Sequence, residues 1–167
     1  ASGELDLSPG QGSLIQHQDL LINEVGDLHQ PSRHRSVYLL MLRNSMPPEL
    51  TAFNLPDGTT VAGRRDITTL PTQALYLLNS PFLVEQSGRL AARVLESSMD
   101  DTQIIRTAYR RTFSREPLPV EIQRSVEFLR DTEAALPGDL SKETRRQTVW
   151  AAFCQALLAS NELRYVD

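Results

Sequence analysis

"GRRDITTLPTQALYLLNSPFLVEQSGRLAARVLE", residues 63–96, decides how the rest of the chain is read. Pro71 and Pro81 each open a run with helical spacing, and proline is tolerated in a first turn, where its missing N–H has no partner to lose. Ser80 stands where an N-cap belongs. Ala74, Leu75 and Leu78 share one side of the first run, and Leu75, Tyr76 and Leu78 are assigned to packing. Phe82, Leu83, Leu90, Ala91, Val94 and Leu95 form a stripe along the second. Gly88 lies inside that stripe at a cost of about 1 kcal/mol relative to alanine, which points to a close helix crossing. Two helix starts absorb most of the polar residues, leaving Arg64-Arg65-Asp66, Gln73 and Asn79 without a structural role.

Downstream, helical spacing continues to the end. Asp100 or Asp101 caps "TQIIRTAYRRTF", with Ile104, Ile105, Ala108 and Tyr109 inward, and "SREPLP" breaks the chain. Pro119 starts "PVEIQRSVEFLRDTEAAL", with Ile122, Val126 and Leu129 inward. A last helix runs from Ser141 to about Asn161, and Trp150, Cys154, Leu157 and Leu158 follow core spacing along it. The short link between these two helices makes an antiparallel αα-hairpin the expected arrangement. Upstream the signals differ. Residues 1–35 read as mostly irregular; residues 36–68 hold a short strand within Arg35–Leu42, a short helix opened by Pro47-Pro48, and a loop around Asp57-Gly58. We therefore expect one mainly α domain over residues 1–167, with its helical core over 69–167. It is an irregular bundle of about five helices with an αα-hairpin and a small β or extended element near the N-terminus.

Bulk composition bounds the function. The chain has 167 residues, 40% hydrophobic and 23% charged, enough to bury a core without covalent staples. Net charge is −4, so no basic nucleic-acid surface is indicated. Sixteen of the 17 basic residues are arginine, the better partner for bidentate carboxylate pairing. A single cysteine excludes an internal disulfide and a cysteine-based metal site; at its core spacing Cys154 reads as a buried thiol. No run approaches the roughly 18 apolar residues that cross a bilayer. The polar opening "ASGELDLSPG", without an initiating Met, reads as a start inside a longer protein.

Candidate binding residues gather on the arginine-rich segments: Arg35, Arg43, Arg64, Arg65 and Asp66, with Gln73 and Asn79 beside them. Arginine forks hold carboxylate, phosphate or sulfate bidentately, so an acidic glycan or another anion is the ligand this set would take. Pairing with nearby carboxylates to pin the loop onto the helices is the structural alternative. His17, His29 and His34 lack the spacing of a metal site. Ser45, Ser80 and Ser87 lack a nucleophile-elbow setting, and "SPGQGS" lacks the form of a phosphate loop. A hydrolase would need Asp66 or Glu85 paired with a second carboxylate across a cleft. The sequence supplies no catalytic constellation and no metal or cofactor site.

"RHRSVYLLMLRNSMPPELTAFNLPD", "GRRDITTLPTQALYLLNSPFLVEQSGRLA", "AYRRTFSREPLPVEIQ" and "FCQALLASNELRYVD" occur in this order. Together they resemble the C-terminal domain of unknown function, of DUF1553 type, found in large planctomycete proteins that often carry a cytochrome c-like module. The resemblance runs from about Gly3 to Asp167. It implies a C-terminal fragment of an exported protein of the periplasm or cell envelope, with upstream domains of the same chain as partners. Any haem would be bound far upstream by a Cys-x-x-Cys-His segment that this fragment lacks. One departure is Leu118, where Thr or Ser usually precedes the proline; losing that cap weakens a helix start by about 0.5–2 kcal/mol.

Overall fold

A computed structural model describes residues 2–3, 5–7, 33–38, 48–55, 71–97 and 100–164. The chain divides into two compact units, residues 4–73 and residues 74–167 together with 1–3. Among the described residues there is no strand, and helix accounts for most of residues 71–164. The architecture is the mainly helical bundle that the periodicity predicts.

In the unit spanning 4–73, the Asp6 N–H donates to Arg33 O at 3.0 Å, and His34 Nε2 lies 3.5 Å from Asp6 Oδ2. The strand expected within Arg35–Leu42 is not formed at its described residues: Ser36–Tyr38 is a single 3-10 turn, closed by the Tyr38 N–H donating to Arg35 O at 2.8 Å. Val37 and Tyr38 are both largely exposed, so their apolar character has no buried face to pair against. Helix α1, Pro48–Thr51, matches the helix expected after the double proline. It ends in a left-handed Asn54, beyond which the Leu55 N–H returns to Leu50 O.

Helix α2, Pro71–Asn79, and α3, Pro81–Leu95, start at the two prolines. Ser80 between them has φ −63° and ψ 124°, the extended backbone that a following proline imposes, and it turns the chain. Its side chain makes no capping hydrogen bond, so the proline, not the serine, sets this boundary. The break frees a carbonyl at the end of α2, which a distant side chain satisfies: Gln155 Nε2 donates to Leu78 O at 2.7 Å.

Helix α4, Asp101–Phe113, has Asp100 as its true cap, its carboxylate accepting from the Gln103 N–H at 3.0 Å. Helix α5 covers Pro119–Ala135 and α6 covers Lys142–Leu158, with Ser141 Oγ accepting from the Thr144 N–H at 3.1 Å. A short α7, Asn161–Arg164, follows. Glu133 O pairs with Arg145, and Phe128 packs on Phe153 at 6.2 Å between ring centroids. Partners that move backward along α5 as they move forward along α6 make this pair the expected antiparallel hairpin. The Leu118 defect is partly repaired, because Glu121 reaches back and accepts the Leu118 N–H at 2.6 Å, half of a capping box.

Helices α3 and α6 form the principal packing interface. Leu90, Val94, Ile104, Ile105 and Cys154 are fully buried, and Trp150 meets Phe153 edge to face at 5.6 Å. Several expected core positions are not there. Leu75, Leu78 and Val126 are about half exposed, while Ser87 and Ser125 are buried in the faces where neighbouring apolar residues were expected. Each buried serine donates its hydroxyl to its own helix, Ser87 to Val84 O and Ser125 to Glu121 O, both at 2.7 Å, so neither carries an unmet hydrogen bond inward.

Gly88 mediates no close crossing: it is exposed, and a Cβ there would meet nothing within 4 Å. The glycine therefore contributes only backbone entropy to the unfolded state. Gly88→Ala is expected to raise the urea-unfolding free energy by about 0.5–1 kcal/mol; an unchanged or lowered value would restore a packing role for this position.

Candidate functional site

Two polar constellations stand out in the helical unit. The first is built where α4 ends. Ser114 adopts a left-handed conformation, φ 58°, which stops α4 and turns the next residue back over the helix. Arg115 then lies over two aromatic rings of α4, 5.5 Å from the Tyr109 centroid and 5.7 Å from that of Phe113. Its donors are fully committed. Nη1 and Nη2 bind Glu121 at 2.8 and 2.7 Å, while Nε and Nη2 bind Glu162 at 2.6 and 2.7 Å. Only a planar fork can address two carboxylates and two rings at once, so lysine could not replace it. Hydrogen bonds from Arg115 hold the Glu121 and Glu162 carboxyls below their ordinary pKa. The next residue, Glu116, pairs with Arg110 and Arg106 and is likewise lowered, first by Arg110. This corner ties α4, α5 and α7 together; its acids accept hydrogen bonds from arginine and are poor proton donors at neutral pH.

The second constellation is a groove between α5 and α6, with a volume of about 460 Å³. Leu129, Val149 and Trp150 form its buried floor. Four cations, Arg130, Lys142, Arg145 and Arg146, line it against two carboxylates, Asp101 and Glu133. Arg145 donates to Glu133 O and Pro137 O at 3.1 and 2.6 Å, closing the C-terminal end of α5. Arg146 binds Asp101 at 2.9 Å and sits 6.0 Å over the Trp150 ring.

The residues singled out in the sequence are placed as follows. Arg43, Arg64, Arg65 and Asp66 lie outside the described residues. Arg35 is exposed, its carbonyl closing the 3-10 turn. Gln73 is 2% exposed, buried within α2 rather than presented to a ligand. Asn79 is exposed, and its amide donates to Leu75 O at 2.8 Å, one turn back in its own helix. Arg35 and Gln73 belong to the unit 4–73 and Asn79 to the other, so the grouping read from the sequence is divided between two units. Glu85 is engaged by Arg89 on the solvated side of α3. Of the Arg115 corner and the groove, the sequence carries one local signal, "SREP", an Arg-Glu pair placed directly after a helix stop.

Cys154 is buried, and burial pushes its thiol up to about 12, far from a reactive thiolate. Among the described residues no group of three or more His, Cys, Asp or Glu could hold a metal ion, and no helix is long and apolar enough to cross a membrane.

Fold and sites together define a helical domain whose strongest polar assemblies are arginine-centred and hold helices in place. A family model described as a protein of unknown function (DUF1553) matches residues 1–129, and the chain belongs to that family. No curated protein and no solved structure matches it significantly.

The lowered carboxyls give the Arg115 corner a pH signature. Glu121 and Glu162 have folded-state pKa values below their ordinary 4.5, so their contribution is complete above that value and is lost as pH falls through the folded values. Arg115→Gln is expected to cost about 1 kcal/mol at pH 7. The difference from the natural protein should shrink below pH 4.5 as both carboxyls are protonated in the folded state, leaving the smaller part that the ring contacts and the bond to Glu116 O contribute. Urea unfolding from pH 7 to pH 2.5 measures this; a pH-independent difference would assign the loss to ring packing instead.

Proposed function

We propose that this chain is a non-catalytic helical interaction domain, the C-terminal module of a larger exported protein of planctomycete type. Its partner is an upstream segment of the same parent chain, in a cell-envelope context where other modules, including a cytochrome c-like one, carry any haem. The observation that carries the reading is the inverted polarity at the α2–α3 junction. Leu75 and Leu78, one turn apart on α2, are 58% and 53% exposed, and Phe82 and Val84 at the start of α3 are 43% and 51% exposed. Nearby, the polar Ser80 and Ser87 are buried. Large side chains turned outward at this Pro-delimited junction offer apolar anchors of the kind that interfaces use, and each stays about half exposed.

Binding of the chain to the upstream segment of its parent, followed by titration calorimetry, tests the reading. Association in the micromolar range or tighter is expected. Leu75→Ser with Leu78→Ser should weaken it about tenfold or more while leaving the helical circular dichroism unchanged, because neither side chain belongs to the core. Absence of binding, or full binding by the double variant, would contradict the assignment.

A further inference from the structure

The α5–α6 groove carries an inference independent of the docking proposal. Its cations are unequally used. Arg145 is committed to two backbone carbonyls and Arg146 to Asp101. Lys142 has no partner among the described residues, and Arg130 makes only a 3.4 Å contact to its chain neighbour Asp131, with both side chains about three-quarters exposed. Lys142 also occupies the first turn of α6, where the unpaired N–H groups of a 17-residue helix add partial positive charge. Four cations against Asp101 and Glu133 leave the lining with an excess of two positive charges. Beneath them the floor is apolar, formed by Leu129, Val149 and the Trp150 ring.

We propose that this groove binds a small organic dianion, a phosphomonoester with an apolar body. Its charge matches the excess on the lining. The phosphate is held by Lys142 and Arg130, whose donors are not committed to structural pairs, and the apolar body lies along Val126 and the floor. Arg145 and Arg146 keep the walls in place through their own partners and add long-range attraction.

Trp150 is the one tryptophan of the chain, so its fluorescence reports on this groove and on the core that it also lines. The test is titration of the whole chain with hexyl phosphate, inorganic phosphate and hexanol. Hexyl phosphate should change Trp150 emission saturably, with a dissociation constant below about 1 mM. Inorganic phosphate should bind about tenfold more weakly, and hexanol should give no saturable change. Arg130→Gln with Lys142→Gln should weaken hexyl phosphate about tenfold at an unchanged melting temperature, since both side chains are exposed. No saturable change with hexyl phosphate overturns the proposal, as does equal binding of hexanol or undiminished binding by the double variant. Should that variant melt lower, Lys142→Gln alone is read in the same way.

Discussion

The packing of α3 against α6 is the constraint on which the rest of the helical unit depends. Leu90, Ala91 and Val94 on one helix and Trp150, Phe153, Cys154 and Leu157 on the other are all buried in one cluster. Each large side chain so removed from water stabilises the fold by roughly 1.5–3 kcal/mol before chain entropy is set against it. Once these helices are fixed, α4 must return across them through Ile104, Ile105 and Ala108, which fill the remaining core. Helix α2 is tied to the same pair by a polar contact, Gln155 to Leu78 O, at a carbonyl freed where the helix breaks.

Charge is used locally, at helix ends. Arg115 gathers two acids and two rings after the left-handed stop at Ser114, and Arg145 closes the C-terminal end of α5. Both are partly exposed sites where an isolated pair contributes little, so their effect comes from shared geometry: one guanidinium satisfies several groups that belong to different elements. The arginine excess noted in the sequence has this structural use here, while two exposed cations not so committed, Arg130 and Lys142, line the α5–α6 groove.

Helix starts were legible because their causes are local. Pro71, Pro81 and Pro119 act through their own backbone, the Asp100 and Ser141 side chains act on the N–H groups of the next turn, and each marks a real boundary. Core faces were less legible. On α5, both Ser125 and Val126 lie one turn from Ile122, and polarity favours the valine; the fold buries the serine, since its hydroxyl bonds Glu121 O and its small size admits a neighbour. The same preference misplaced Leu75 and Leu78. The Arg115 corner joins residues 47 positions apart, Arg115 and Glu162, a distance over which no pattern in the chain speaks. Of the candidate site, Arg35, Gln73 and Asn79 were identified by type alone, and type does not say which of them the packing turns inward.

In the proposed reading the α3–α6 core is already filled and the apolar side chains exposed on α2 are the docking face for an upstream segment. Hydrogen exchange, resolved by helix and compared between this chain alone and the chain joined to that segment, tests it most directly. The α2 amides should exchange well ahead of those in α3 and α6 when the chain is alone, and become protected when it is joined, with α5 and α6 unchanged. Protection of α2 equal to that of α6 in the isolated chain, or unaltered by the upstream segment, would contradict it.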